Sequence, residues 1–304
     1  MNKEIIITGA TGLIGKALST VLIKQNDKIT LFTRNPENAE RIVKGAKEYV
    51  RWNYKNPEEW KKFLEGKDAI IHIAGANLAA RRWDAKYKEV VYNSRIVSTK
   101  ELVTAIERCK IKPGVFITAS AIGIYGNRGD ELLTEKSMPG NDFLSKLCYD
   151  WEREAEKVER FGVRRVSLRI GLVLSKEGGV LKQLLTPFKL FVGGHLGNGK
   201  QWFPWIHIDD LVSVFIHAIN NESIRGPINC TAPGIVTMKE FTKTLGRVLN
   251  RPALVPVPRA ALKIIIGEIT ESVLSGQKVS ANKLLNSRFN FQFGKLEDAL
   301  KNLL

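Results

Sequence analysis

The 304-residue sequence predicts an α/β fold, a doubly wound parallel sheet covered by helices on both faces, with a smaller, partly interleaved C-terminal α+β lobe. Three observations predict it. Strand-length runs such as AIIHIA at 69–74 and VFITA at 115–119 are apolar on consecutive positions, the pattern of strands buried on both faces. Helix-length segments alternate with them, as βαβ units require. Three glycines join the first strand to the first helix at a spacing that lets a chain turn tightly and pack closely.

Taken in order, a strand at Glu4 to Thr8 leads into a helix from Leu13 to about Lys24, and a second strand runs from Lys28 to Thr33. Further strands are expected at Ala69 to Ala74, Val115 to Ala119 and Arg165 to Ile170, separated by helices at Asp84 to Glu107 and Asp142 to Arg160. After Leu174 the rhythm changes. A Gly-rich stretch at Gly193 to Lys200 precedes the aromatic residues Trp202, Phe203 and Trp205, and helices are expected near Thr237 to Leu249, Arg259 to Leu274 and Leu296 to Leu303. The boundaries expected are 1–174 for the sheet domain, with 201–232 returning to it, and 175–200 plus 233–304 for the smaller lobe.

Composition narrows the classes. With 44% hydrophobic and 26% charged residues the chain fills a core, which excludes a disordered protein. The N-terminus lacks a signal-peptide pattern and no 18-residue apolar run follows, so a cytoplasmic protein that neither crosses nor enters a membrane is expected. Cys109, Cys148 and Cys230 are far apart, and neither they nor the four scattered histidines have disulfide or metal-ligand spacing. The net charge of +16 raises nucleic acid as a partner. Basic residues are spread along the chain, and WEREAEKVER mixes both signs as a solvated face does, so no nucleic-acid partner is expected. An anionic cofactor or substrate accounts for part of the excess.

The strongest local signal is TGATGLIG at 8–15, between a strand and a helix. Gly9 permits the turn, Gly12 lets the backbone approach a diphosphate and Gly15 lets the helix pack on the sheet, while Thr11, Leu13 and Ile14 bring free N–H groups of the helix start to the phosphates. This is the dinucleotide cradle of Rossmann-type sheets. About twenty residues on, where NAD-binding chains carry a carboxylate for the ribose, this chain has Thr33 and Arg34. A guanidinium pairs with a 2′-phosphate that a carboxylate would repel, so NADP is the expected cofactor; the alternative is an arginine directed at solvent.

Together with HIAGA at 72–76, NSR at 93–95, SAIGIYG at 120–126, RIGLVLSKEGG at 169–179, WIHIDDL at 205–211, NCTAP at 229–233 and the tail RPALVPVP with GQKVSANKLL, this loop resembles the extended short-chain dehydrogenases across the whole chain. Within them it is similar to the atypical YfcH-like group, labelled NAD-dependent epimerase/dehydratase or SulA-like cell-division inhibitor. The resemblance implies that Ile73, Ala74 and Gly75 pass along the adenosine side of the cofactor, that Arg95 faces it with Glu89 of the same helix as a weaker candidate, and that Val173 lies by the nicotinamide; for each the alternative is ordinary packing at a strand end or a solvated helix face. It implies that Ser120 hydrogen-bonds the substrate oxygen; the alternative is a turn hydroxyl bonded to its own backbone.

The departure concerns the base. These enzymes use Tyr-x-x-x-Lys on one helix face, the lysine lowering the tyrosine pKa so that it exchanges a proton. None of the six tyrosines is followed four residues on by lysine, and the usual helix register puts Leu144 and Cys148 at the two positions. Lys146 and the pair Tyr149/Arg153 lie out of register. Tyr125 is the nearest substitute catalytic group, or else an aromatic packing residue. The loop at Gly193 to Lys200, with Lys200, Trp202 and His207, either wraps an anionic, sugar-like ligand or serves with WIHIDDL as a hinge in which Asp209 and Asp210 cap a helix. The expected function is that of an NADP-dependent oxidoreductase or epimerase, monomeric or homodimeric, acting on a nucleotide-sugar-like or other carbinol or carbonyl substrate. The alternative is a non-catalytic NADP(H)-binding regulator.

Overall fold

The computed structural model describes residues 2–304. The chain runs β1 (Glu4–Thr8), α1 (Leu13–Lys24), β2 (Lys28–Thr33), α2 (Pro36–Ile42), β3 (Glu48–Arg51), β4 (Ala69–His72), α3 (Ala85–Arg108), β5 (Val115–Ala121), β6 (Leu132–Leu133), α4 (Phe143–Glu156) and β7 (Arg164–Ile170). It continues through β8 (Leu172–Leu174), α5 (Gly179–Lys189), β9 (Trp205–His207), α6 (Ile208–Asn220), β10 (Gly226–Cys230) and α7 (Met238–Leu249), then α8 (Arg259–Ile266), α9 (Ile269–Leu274), β11 (Lys278–Val279), α10 (Asn282–Asn286) and α11 (Leu296–Leu303).

Seven strands form one parallel sheet in the order β10-β7-β5-β4-β1-β2-β3. Chain order reverses between β1 and β4, which opens a crevice at their C-terminal ends, the place where such sheets bind ligands. Alternation along each strand divides the core. Ile5, Ile7, Leu31 and Ile71 pack on one face with Leu18 of α1 and Phe215 of α6, while Ile6, Phe32, Ile70 and Phe116 pack on the other with Leu102 and Ile106 of α3. A third core, around Phe188, Phe203, Trp205, Phe241 and Leu300, joins α5, α7 and α11. Residues 208–230 supply α6 and β10 to the main sheet, with β10 pairing β7.

Three boundaries differ from the expected ones for identifiable reasons. β4 ends at His72, because Ile73 to Gly75 turn away at the crevice rim. The helix expected over Asp142 to Arg160 is α4 followed by a tighter turn from Lys157, closed by the left-handed Gly162. The helix expected over Arg259 to Leu274 is two, α8 and α9, broken at Gly267, whose φ of +66° no helix accommodates. Among the described residues no helix is long and apolar enough to cross a membrane.

Candidate functional site

The loop after β1 has the geometry its glycines predict. Gly9 is left-handed at φ +75°, and a Cβ there would stand 2.8 Å from the Ala74 nitrogen, so the rim of β4 lies directly against the turn. At Gly15 a Cβ would stand 2.3 Å from the Gly9 carbonyl oxygen, which is how closely α1 returns onto the loop. At Gly12, exposed at the helix start, a Cβ would meet only that same oxygen, at 3.4 Å, and the space beyond is open toward a ligand. Thr11 is exposed beside it, and Leu13 and Ile14 are half-buried. The N-cap position, Gly12, has no side-chain hydrogen bond, so the first N–H groups of α1 remain free for an anion.

A buried relay holds this rim. The Thr8 hydroxyl lies 2.7 Å from His72 Nδ1 and accepts from the Ala74 N–H, while His72 Nε2 lies 3.1 Å from Ser98 Oγ, whose own proton goes to the Ser94 carbonyl. Those directions assign the Nε2–H tautomer. Burial, assisted by the Arg95 charge, lowers the His72 pKa from 6.5 to about 3, so the ring is neutral.

Around this loop the structure gathers most of the expected cofactor residues. Thr33 ends β2, its hydroxyl bonded to the backbone of Asn35, and Arg34 stands exposed beyond it with no protein hydrogen bond or ion pair among the described residues. Ile73, Ala74 and Gly75 form the opposite rim. The Arg95 guanidinium lies against Gly75, so close that a Cβ there would be 2.8 Å from Arg95 Cζ. Val173, on β8, is half-buried, and its carbonyl faces Gly179. The SKEGG turn returns over α1, Gly179 packing on Leu13 and Glu177 pairing with Lys16 at 2.8 Å. Glu89 takes its alternative placement: it is exposed on the solvent face of α3, its carboxylate meeting Asn93, because it lies six residues, or about 240° around the helix, from Arg95.

Ser120 and Tyr125 sit in one buried network. Ser120 Oγ donates to Glu152 Oε1 at 2.7 Å, and Arg169 grips the same carboxylate with Nε and Nη2, both at 2.8 Å. Arg169 Nη1 donates to Tyr125 Oη at 2.9 Å, which donates to Asn229 Oδ1 at 2.6 Å. Tyr125 is 0% exposed and its hydroxyl is committed on both sides, and burial pushes its pKa up to about 12 against the pull of Arg169. The structure thus places Tyr125 in the packing interior. Cys148 is buried beside Ser120, and burial together with the Glu152 charge pushes its thiol up to about 12. Leu144 packs on Gly123. Lys146, Tyr149 and Arg153 are exposed on the other face of α4.

The loop at Gly193 to Lys200 does not bring its expected residues together. His207 is 0% exposed, stacked on Phe293 at 3.9 Å, and its Nδ1 caps α6 by accepting from the Asp209 N–H. Asp209 and Asp210 therefore do not cap the helix. Asp210 instead accepts the backbone N–H groups of Gln292 and Phe293. Trp202 Nε1 donates to Asp130, and Lys200 is exposed.

Sequence reasoning missed His72, Glu152 and Arg169. The last two are 17 residues apart on different elements, and the only available signal was that each is a charge on an otherwise apolar face.

A family model described as "NAD dependent epimerase/dehydratase family" matches residues 5–230, and one described as a "Domain of unknown function (DUF1731)" matches residues 257–303. The chain is 38% identical over 300 residues to the Arabidopsis thaliana protein named "Epimerase family protein SDR39U1 homolog, chloroplastic", covering 98% of this chain and 86% of that one. It superposes with TM-score 0.88 and 30% identity on human epimerase family protein SDR39U1 crystallised with NADPH, covering 99% of this chain and 98% of that one. It also superposes with TM-score 0.80 and 31% identity on the crystal structure of a protein named nucleoside-diphosphate sugar epimerase from Corynebacterium glutamicum, covering 100% of this chain and 58% of that one.

Proposed function

Because the chain belongs to the NAD dependent epimerase/dehydratase family, we propose that it is an NADP(H)-dependent oxidoreductase or epimerase of the atypical short-chain dehydrogenase group, with a carbinol or carbonyl compound, nucleotide-sugar-like in the broadest form, as its substrate. The observation that carries the proposal is the open cradle from Gly9 to Gly15 with the free guanidinium of Arg34 at the end of the neighbouring strand. The diphosphate of the nucleotide would rest on the free N–H groups at the start of α1, and Arg34 would pair with its 2′-phosphate. Ile73 to Gly75, Arg95 and Val173 would flank the rest. NADPH in the similar human structure supports this choice of nucleotide, and similarity to the Corynebacterium protein, named as a nucleoside-diphosphate sugar epimerase, supports the substrate class.

When bound, the nicotinamide supplies or accepts a hydride. The chain's own part is to hold the substrate carbon near Ser120 at the end of β5, with Glu152 and Arg169 fixing the Ser120 rotamer. Fluorescence titration with NADPH and NADH tests the nucleotide choice. A charge-assisted pair at the 2′-phosphate contributes about 1.5–3 kcal/mol, so NADPH should bind roughly ten- to a hundredfold more tightly, and Arg34→Leu should abolish the difference. Equal binding, or no saturable uptake of either, sinks the reading. Saturable NADPH uptake without turnover of any carbonyl or sugar nucleotide would favour the regulatory alternative, whose supporting observation is Leu144 and Cys148 at the positions of the usual proton-transfer pair.

A further inference from the structure

Among the described residues, the crevice floor at the ends of β4 and β5 carries fixed charge but no group that releases a proton near neutral pH. Arg95 reaches it from α3, its guanidinium over the Trp151 ring at 5.3 Å and its one hydrogen bond, Nη1 to the Val91 carbonyl at 3.1 Å, made within its own helix. The other donors of that half-buried guanidinium have no protein partner among the described residues. Beside it stand Ser120, whose proton is given to Glu152, and Cys148, whose thiol burial keeps protonated and inert. The nearby tyrosines are committed: Tyr87 to the Asn77 carbonyl, Tyr92 to Asp150 at 2.8 Å, Tyr125 to Asn229. His72 is sealed below the rim, bonded to Thr8 and Ser98. The adjoining wall is largely aromatic, and the Lys88 ammonium, paired with Glu268, lies over its Trp83 and Phe143 rings at 5.9 and 5.6 Å. Leu78, Trp83, Phe143 and Leu144 are half-buried there, with the Trp83 and Phe143 rings edge to face at 5.4 Å.

We propose that this end of the crevice is an oxyanion site without a proton donor, and that its substrate is a flat conjugated carbonyl compound, an enone or a quinone. The proposal rests on the nucleotide reading above. Hydride addition to a saturated ketone leaves a localised alkoxide, a base as strong as hydroxide, and the general acid that relieves it is worth roughly 10²–10⁴ in rate. Nothing at the floor supplies that acid. A conjugated carbonyl takes the hydride pair at its β carbon while the C=C electrons move onto the carbonyl oxygen. The resulting enolate is delocalised and faces the charge of the half-buried Arg95 guanidinium. The α carbon then takes its proton from water, so one hydride and one proton are consumed and the nucleotide leaves oxidised. The aromatic wall favours a flat acceptor over a polyol.

The test uses the full chain with NADPH, binding being followed separately by nucleotide fluorescence. Cyclohexenone and naphthoquinone should be reduced with kcat/KM roughly a hundredfold or more above that of cyclohexanone, and UDP-glucose should be left unchanged. A second readout needs no turnover. Para-nitrophenol added to the NADP⁺-loaded protein should be held as phenolate, seen by its absorbance at a pH below its solution pKa, and Arg95→Met should lose that signal. If Arg95→Met fails to fold, the acceptor panel and the unmodified protein's phenolate spectrum decide. Cyclohexanone reduced as fast as cyclohexenone, UDP-glucose epimerised, no acceptor reduced by NADPH-saturated protein, or para-nitrophenol bound neutral or not at all would each overturn the proposal. Failure to take up NADPH would instead remove the nucleotide reading, and the proposal with it.

Discussion

Gly12 and Gly15 share one loop, yet an added methyl meets opposite things at the two. At Gly15 it would stand 2.3 Å from the Gly9 oxygen and 2.6 Å from Ala10 Cα, both backbone, so Gly15→Ala must shift α1 from the sheet and should lower stability by about 2 kcal/mol or more. At Gly12 the added carbon meets a single atom at 3.4 Å, so Gly12→Ala should leave the thermal midpoint nearly unchanged while weakening NADPH binding, because the methyl occupies the diphosphate's approach. Thermal melts with and without NADPH separate the two, and equal destabilisation by both would contradict the geometry. His72 makes a prediction in pH. The unfolded chain takes up a proton near 6.5 that the native ring refuses down to about 3, so its contribution is whole above pH 6.5 and is lost as pH falls through that interval. At about 1.4 kcal/mol per pH unit, the His72 share should amount to roughly 2 kcal/mol between pH 7 and pH 5. Burial shifts His207 and His217 the same way, so the urea midpoint should fall more steeply than one histidine dictates, and His72→Asn should remove only its share. An unchanged slope in that variant would contradict the sealed, neutral ring.

Between elements, the Glu152–Arg169 pair ties α4 to β7, with Ser120 of β5 and Tyr125 attached to it. Both charges are nearly buried, their side chains 10% and 7% exposed. Arg169→Met should leave the carboxylate without its partner and cost about 3–5 kcal/mol in chemical denaturation, whereas Arg169→Met with Glu152→Leu should recover much of that loss. If the double variant is no more stable than the single, the pair is not the source. This tie also marks where sequence reading stops. β1, α1 and β2 were legible because periodicity, glycine spacing and strand length are local signals, and Arg34 followed from counting along them. β3 was not: Glu48–Arg51 is an edge strand with no fully buried residue, so it lacks the apolar run that reveals a central strand. β8 and β9 are three residues each, and they pair with one another across thirty intervening residues. Arg95 could be named as a candidate because it falls at a motif position, whereas Glu152 acquires its meaning from a strand that folds beside it.

Across the molecule, the third core holds α7 and α11, while α6 packs on α1 in the first. The join is Asp210, on the first turn of α6, whose carboxylate accepts the Gln292 N–H at 2.7 Å and the Phe293 N–H at 2.9 Å just before α11. Phe293 then stacks on His207 at the start of the same helix. Asp210 is 1% exposed, and burial raises its pKa while the two N–H groups oppose that rise. The Phe293 N–H is buried, so Asp210→Ala should leave it without a partner and cost about 1–3 kcal/mol. The loss should be uneven, because regions held by few ties open first. Amide exchange should accelerate over 287–304 and protease should cut first between α10 and α11, while NADPH binding persists, since the residues proposed to hold the nucleotide, Gly9 to Gly15, Arg34 and Arg95, all stand on or beside elements packed on the main sheet. Should exchange rise evenly over the whole chain, with nucleotide binding lost in step, the two cores unfold as one cooperative unit and Asp210 is no latch between them.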